Sequence, residues 1–178
     1  MLLIVEGWVL PEMPSMITDM LISMDDHYLY ASNWFHGDIR QYDIRDVDNI
    51  RLTGNIFIGG SIHEESGVKL VKDEELEKPP SALHVKGKRI EGGPQMLQLS
   101  LDGRRLYVTN SLYRRWDEQF YPKLINSGGK MLRIDIDENG VMKLNENFFF
   151  DFGAIEGGPY LGHEMRYPGG DCTSDIWV

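Results

Sequence analysis

Five histidines and one cysteine are the side chains of this 178-residue sequence best suited to ligate a soft or borderline metal or to move a proton near neutral pH. His36 stands in the run Trp34-Phe35-His36-Gly37-Asp38 and His163 in Gly162-His163-Glu164. Each therefore has a carboxylate close by, Asp38 and Glu164, of the kind that fixes an imidazole tautomer from behind a metal. The competing reading of each is a structural histidine hydrogen-bonded to a loop carbonyl, and two separated histidines are a weak metal signature. His27, His63 and His84 fall in a turn and in a polar stretch and read as surface residues. Cys172 has no base or basic residue beside it to activate it and reads as a small, partly buried thiol. A lone cysteine supplies neither a disulfide framework nor a thiolate cluster.

One motif match is sharper. Asp135, Asp137, Asn139, Gly140 and Glu146 fit the calcium-loop pattern D-x-[DN]-x-[DN]-G-x₅-E. That loop needs a helix on each side, whereas MLRID and VMKLNENFFF read as strands around an Asn-Gly hairpin turn, so a hairpin is the preferred reading. No phosphate-cradling glycine loop, dinucleotide fingerprint or nucleophile elbow is present, and the residues alone identify no catalytic group.

The elements that must position these residues are written in a repeat. SMDDHYLYASN at 23–33 is echoed by SLDGRRLYVTN at 100–110, each position 77 residues on. A second set, Asp43, Leu52, Asn55 and Phe57, recurs 92 residues on at Asp135, Leu144, Asn147 and Phe149. Each copy is a pair of hairpins, predicting two four-stranded antiparallel blades: 17–58, and 95–150 with a loop inserted at 111–129. The stretch 61–94, with its acidic run DEELEKPP, reads as a long connection, and 1–10 as the outer strand of a blade whose other strands are absent. EGGP at 91–94 recurs at 156–159 and predicts the start of a partial third blade over 156–178. The expected fold is all-β, a partial β-propeller of about two full blades plus part of a third. Successive strands reverse, so the His36 loop, the 111–129 insertion, the 61–94 connection and both EGGP turns share one face. His163 aligns with Gln98 on an innermost strand near that face.

A formal net charge of −10 argues against nucleic acid, because no positive field is available to neutralise phosphates. No stretch is long enough to span a bilayer as a helix, and Glu6 interrupts the short apolar start. Blades left without neighbours expose edges, so the chain reads as the C-terminal part of a longer protein that aggregates or needs a partner when alone.

Six stretches carry a family resemblance: GWVLPEMPSMITDMLIS, SNWFHGDIRQYDI, LTGNIFIGGSI, VKGKRIEGGPQMLQLSLDGRRLYVTNSLY, WDEQFYP and HEMRYPGGDCTSDIW. With them the chain resembles the C-terminal part of the selenium-binding protein family, whose members include methanethiol oxidase. The resemblance implies a propeller-like fold and an oxidoreductase of the cytosol, with the nucleus or the periphery of a membrane left open. The reaction it implies converts methanethiol, O₂ and water to formaldehyde, hydrogen sulfide and hydrogen peroxide. Copper is the implied cofactor, with His36 and His163 the histidines inside matching motifs. The residues the family associates with selenium lie outside this sequence, and Cys172 does not inherit that role. The alternative reading is a non-catalytic propeller that binds selenium species, or protein partners through its face or its blade edges.

Overall fold

The computed structural model describes residues 2–72, 75, 76 and 78–168. The chain opens with β1 (Leu2–Glu6), in which Leu3 and Val5 face inward and their neighbours face out, as the period of a half-buried strand requires. It pairs antiparallel with β2 (Glu12–Pro14). Next come β3 (Ile17–Ile22), β4 (Tyr28–Asn33), β5 (Asp38–Asp43) and β6 (Arg51–Phe57), an antiparallel sheet in sequence order.

After this sheet, β7 (Lys69–Lys72) returns to the other side of β1, which makes β1 the centre of a three-stranded sheet. A small hairpin follows, β8 (His84–Val85) with β9 (Lys88–Arg89). The next sheet begins with β10 (Leu97–Leu99) and β11 (Arg105–Thr109), breaks for the helices α1 (Arg114–Phe120) and α2 (Pro122–Ser127), and resumes with β12 (Lys130–Ile136) and β13 (Met142–Leu144). A short β14 (Phe150–Asp151) also pairs with β12 and leads into one 3-10 turn, Phe152–Ala154.

The chain is thus mostly β, with antiparallel sheets, and departs from the sequence expectation where long-range pairing or a breaker residue decides. Residues 1–10 are not the edge of a blade, because both sides of β1 are paired. The 61–94 connection donates β7 and a hairpin. The insertion is helical: Pro122 opens α2 where its missing N–H is harmless, and Gly128 follows its end at φ 73. Residues 156–168 contain no strand, and the rest of the expected third blade, with Cys172, lies outside the described residues.

The repeated hairpins are held alike. Ser23 Oγ donates to Asp25 Oδ1 and accepts from the Tyr28 amide, while Ser100 Oγ donates to Asp102 Oδ1 and accepts from the Arg105 amide. In each, the serine hydroxyl is the main cause holding the turn carboxyl below its ordinary pKa.

Two cores result. One is built on Leu21, Tyr30 and Ile39 of the four-stranded sheet and Leu99, Leu106, Val108, Leu132 and Ile134 of the five-stranded sheet. The other joins the N-terminal sheet to the inserted helices through Leu3, Val5, Met13, Trp34, Phe35, Leu112, Tyr121 and Leu124. Strand β3 meets β10 through the Leu97 amide on Asp19 Oδ2 (2.6 Å), and the Ser32 hydroxyl of β4 donates to the carbonyl of Gln95, just before β10 (2.8 Å).

Candidate functional site

His36 sits in the tight turn between β4 and β5, closed by the Gly37 amide on the Asn33 carbonyl. Gly37 takes φ 86, and a methyl added there would overlap the Gly59 carbonyl. The same close backbone approach continues through Gly59 against Gly92 and through Gly93 against the Trp34 carbonyl. The His36 loop is therefore seated on the first EGGP turn by main chain.

The His36 ring is fully buried, and its Nε2 lies 3.1 Å from the Met13 carbonyl on β2. A carbonyl can only accept, so Nε2 carries the proton and Nδ1 keeps its lone pair. Nδ1 is buried without a hydrogen-bond partner. Burial pushes the His36 pKa down, against the Met13 bond and the Asp38 charge, which keeps the ring neutral. A neutral imidazole with one nitrogen fixed by a carbonyl and the other free is the form that ligates a metal.

His163 follows the second EGGP turn. Thr109 Oγ1 donates to its carbonyl at 2.8 Å, its ring stacks on Tyr113 with centroids 5.1 Å apart, and its Nδ1 is also buried and unpartnered. The carboxylates nearest these rings in sequence are occupied elsewhere. Asp38 accepts from Asn33 and Arg40, and Glu164 pairs with Arg166, so a backbone carbonyl rather than Asp38 fixes the His36 tautomer. Among the described residues the two histidine rings make no contact with each other, and no three His, Cys, Asp or Glu side chains gather as a metal cluster.

Both segments border the insertion. Trp34 packs on Trp116, Phe120 and Tyr121 at 6.2, 5.7 and 4.9 Å between centroids, and the Tyr121 hydroxyl donates to the Trp34 carbonyl at 2.7 Å. Asp117 of α1 is buried, receives Ser111 Oγ and the Leu112 amide, and has its pKa raised by burial. Beside this wall lies a cavity of about 270 Å³ lined by Trp8, Ser61, His63, Arg89, Phe120 and Tyr121, among others.

His63, expected on the surface, is only 7% exposed and accepts from Arg89 at Nε2 (2.9 Å). Sequence carried no signal for it, since its side-chain partner Arg89 comes from the later β8–β9 hairpin. The calcium-loop residues form a hairpin turn instead: Asp137 Oδ1 accepts the Asn139 and Val141 amides, and strands flank the turn.

The sequence model of the 56 kDa selenium binding protein family matches residues 3–178. Over 175 residues, 98% of this chain, it is 63% identical to methanethiol oxidase of Xenopus tropicalis and 61% identical to that of Homo sapiens. Selenium-binding protein 2 of Mus musculus is 62% identical over the same length. The chain spans 37% of the length of each of these relatives. The crystal structure of a hypothetical selenium-binding protein from Sulfolobus tokodaii superposes on 93% of the chain and 31% of that protein, with a TM-score of 0.72 and 39% identity.

Proposed function

Because this chain belongs to the 56 kDa selenium binding protein family, we propose that it forms part of a methanethiol oxidase. The reaction would take methanethiol, O₂ and water to formaldehyde, hydrogen sulfide and hydrogen peroxide. It balances as a two-electron oxidation of the methyl carbon coupled to two-electron reduction of O₂. The observation that carries the reading is the identity to methanethiol oxidases over 98% of the chain. Its two larger sheets, β3 to β6 and β10 to β13 with β14 added on β12, have equivalent serine turns and adjoining first strands and are read as neighbouring blades of a β-propeller.

Copper is the cofactor in this reading, and when bound it would supply the redox chemistry between thiol and O₂. His36 Nδ1 and His163 Nδ1 fit it as donors, each buried and free, and further ligands would come from the length of the relatives that this chain does not span. The Met13 carbonyl, by accepting from Nε2, leaves the lone pair on His36 Nδ1, and burial disfavours a second proton there. The cytosol is the proposed compartment; among the described residues no helix is long and apolar enough to cross a membrane. No selenium ligand is assigned within the chain.

The test is a chimera in which this chain replaces the matching segment of the Xenopus tropicalis relative. His36→Ala and His163→Ala should each lower bound copper and methanethiol-dependent peroxide release together. Full copper and full activity in both variants would refute the assignment. A folded chimera with neither copper nor activity would favour the non-catalytic reading.

A further inference from the structure

The geometry points to the inserted helices as the element that aligns the two candidate ligands, with Tyr113 and Tyr121 as its positioning residues. The inference rests on the reading of His36 and His163 as metal ligands. In the first sheet, β4 passes to β5 through a tight turn of four residues, Trp34 to Gly37; in the second, the equivalent passage is replaced by α1 and α2. The sheet closes without such an insertion, so its presence answers to something other than strand pairing.

What α1 touches at its two ends supplies that reason. Tyr113 occupies the N-cap position, where a short polar side chain would normally accept a helix amide, and it makes no side-chain cap bond. Asp117 ties the approach to the helix instead, through Ser111 and the Leu112 amide. Tyr113 is 62% exposed, yet its ring lies over His163 at 5.1 Å with an interplanar angle of 28°. A residue that breaks a local preference while stacking on a candidate ligand is best explained by the ligand. At the far end Tyr121 is buried and its hydroxyl holds the Trp34 carbonyl, two residues before His36. Between them Trp116 and Phe120 pack on the Trp34 ring. One short helix of about two turns thus grips, through the residues at its ends, the loop of one histidine and the ring of the other. Moving it would move both.

The experiment uses the full-length chimera, in which this chain replaces the matching segment of the Xenopus tropicalis relative. Metal-free NMR follows the histidine ring protons in Tyr113→Leu, Tyr113→Phe and Tyr121→Phe, and copper(II) titration with EPR follows the site. Tyr113→Leu should shift the His163 resonances by loss of the ring current and weaken copper(II) binding roughly tenfold, the lower end for partners that orient ligands. Tyr113→Phe should restore both, and melting temperature should follow neither change. Tyr121→Phe should shift His36. Unchanged His163 resonances in Tyr113→Leu, or unchanged His36 resonances in Tyr121→Phe, overturn the alignment role. Copper binding that is absent, or that survives His36→Ala and His163→Ala, overturns the metal reading instead, and the metal-free spectra still decide the role of the insertion.

Discussion

Asp38 tests most directly whether a buried carboxylate beside His36 serves the ring or the fold. Its side chain is fully buried, with Oδ2 accepting Arg40 Nε at 2.9 Å and Oδ1 accepting Asn33 Nδ2 at 3.0 Å. Arg40 is 6% exposed, and its far end reaches Glu75, whose side chain is 42% exposed. Burial works against the Arg40 charge, but the Glu75 and Asp38 contacts hold its pKa above the usual value. Asp38→Asn keeps the shape and removes the charge, and its amide must then point a donor at a donor. Breaking a buried pair costs about 3–5 kcal/mol. Glu75 remains to neutralise Arg40, which places Asp38→Asn at the low end, about 3 kcal/mol. At about 2–4 °C per kcal/mol for a chain of this size, the melting temperature should fall by about 6–12 °C. Glu75→Gln, at a half-exposed pair, should cost no more than about 1 kcal/mol. Thermal unfolding by circular dichroism measures both, and NMR reports the His36 ring in each. A loss below about 1 kcal/mol for Asp38→Asn, with a large shift of the His36 resonances, would show that Asp38 serves the imidazole and that the structural argument is wrong.

Two further outcomes follow from buried polar groups. Tyr121→Phe leaves the Trp34 carbonyl without its donor and Ser61 Oγ without its acceptor, a loss of about 1–2 kcal/mol by denaturant titration; an unchanged midpoint would show that the hydroxyl carries nothing. His63 has its pKa pushed down by burial first and then by the Arg89 charge. The unfolded chain therefore takes up that proton before the folded one does, and stability falls as pH drops through about 6.5, by up to about 1.4 kcal/mol per pH unit for one proton. Urea midpoints between pH 8 and 5 should show this slope, and His63→Gln should reduce it, leaving the share of His36, whose pKa burial also lowers. An identical slope in the variant would remove His63 from the explanation.

The parts of this fold legible in sequence are those fixed by local chemistry. Ser23, Asp25, Ser100 and Asp102 announce their turns because the hydroxyl, carboxylate and amide that bond are within five residues of one another. The strands β4 and β5 lie on β11 and β12 at the two offsets of the repeat. The pairing of β1 with β7 was not legible, since Val5 meets Leu70 across a whole sheet of intervening chain. The insertion was partly legible: Pro122 and Gly128 bracket α2 as start and stop signals do, but Tyr113 gives no such signal for α1. At the candidate site the motif picked out both histidines with unpartnered nitrogens, yet it pointed to Asp38 where the Met13 carbonyl orients the ring. A backbone atom supplied by another strand has no signature in side-chain spacing.

The glycine contacts under the His36 loop have a bearing on how the site ages. Gly37, Gly59 and Gly93 are pressed against carbonyls of neighbouring loops, so the contacts directly beneath the loop are peptide planes, which no change of rotamer relaxes. The same arrangement concentrates fragility. A single methyl at one of these positions acts as a wedge between loops, and no side chain is there to yield around it.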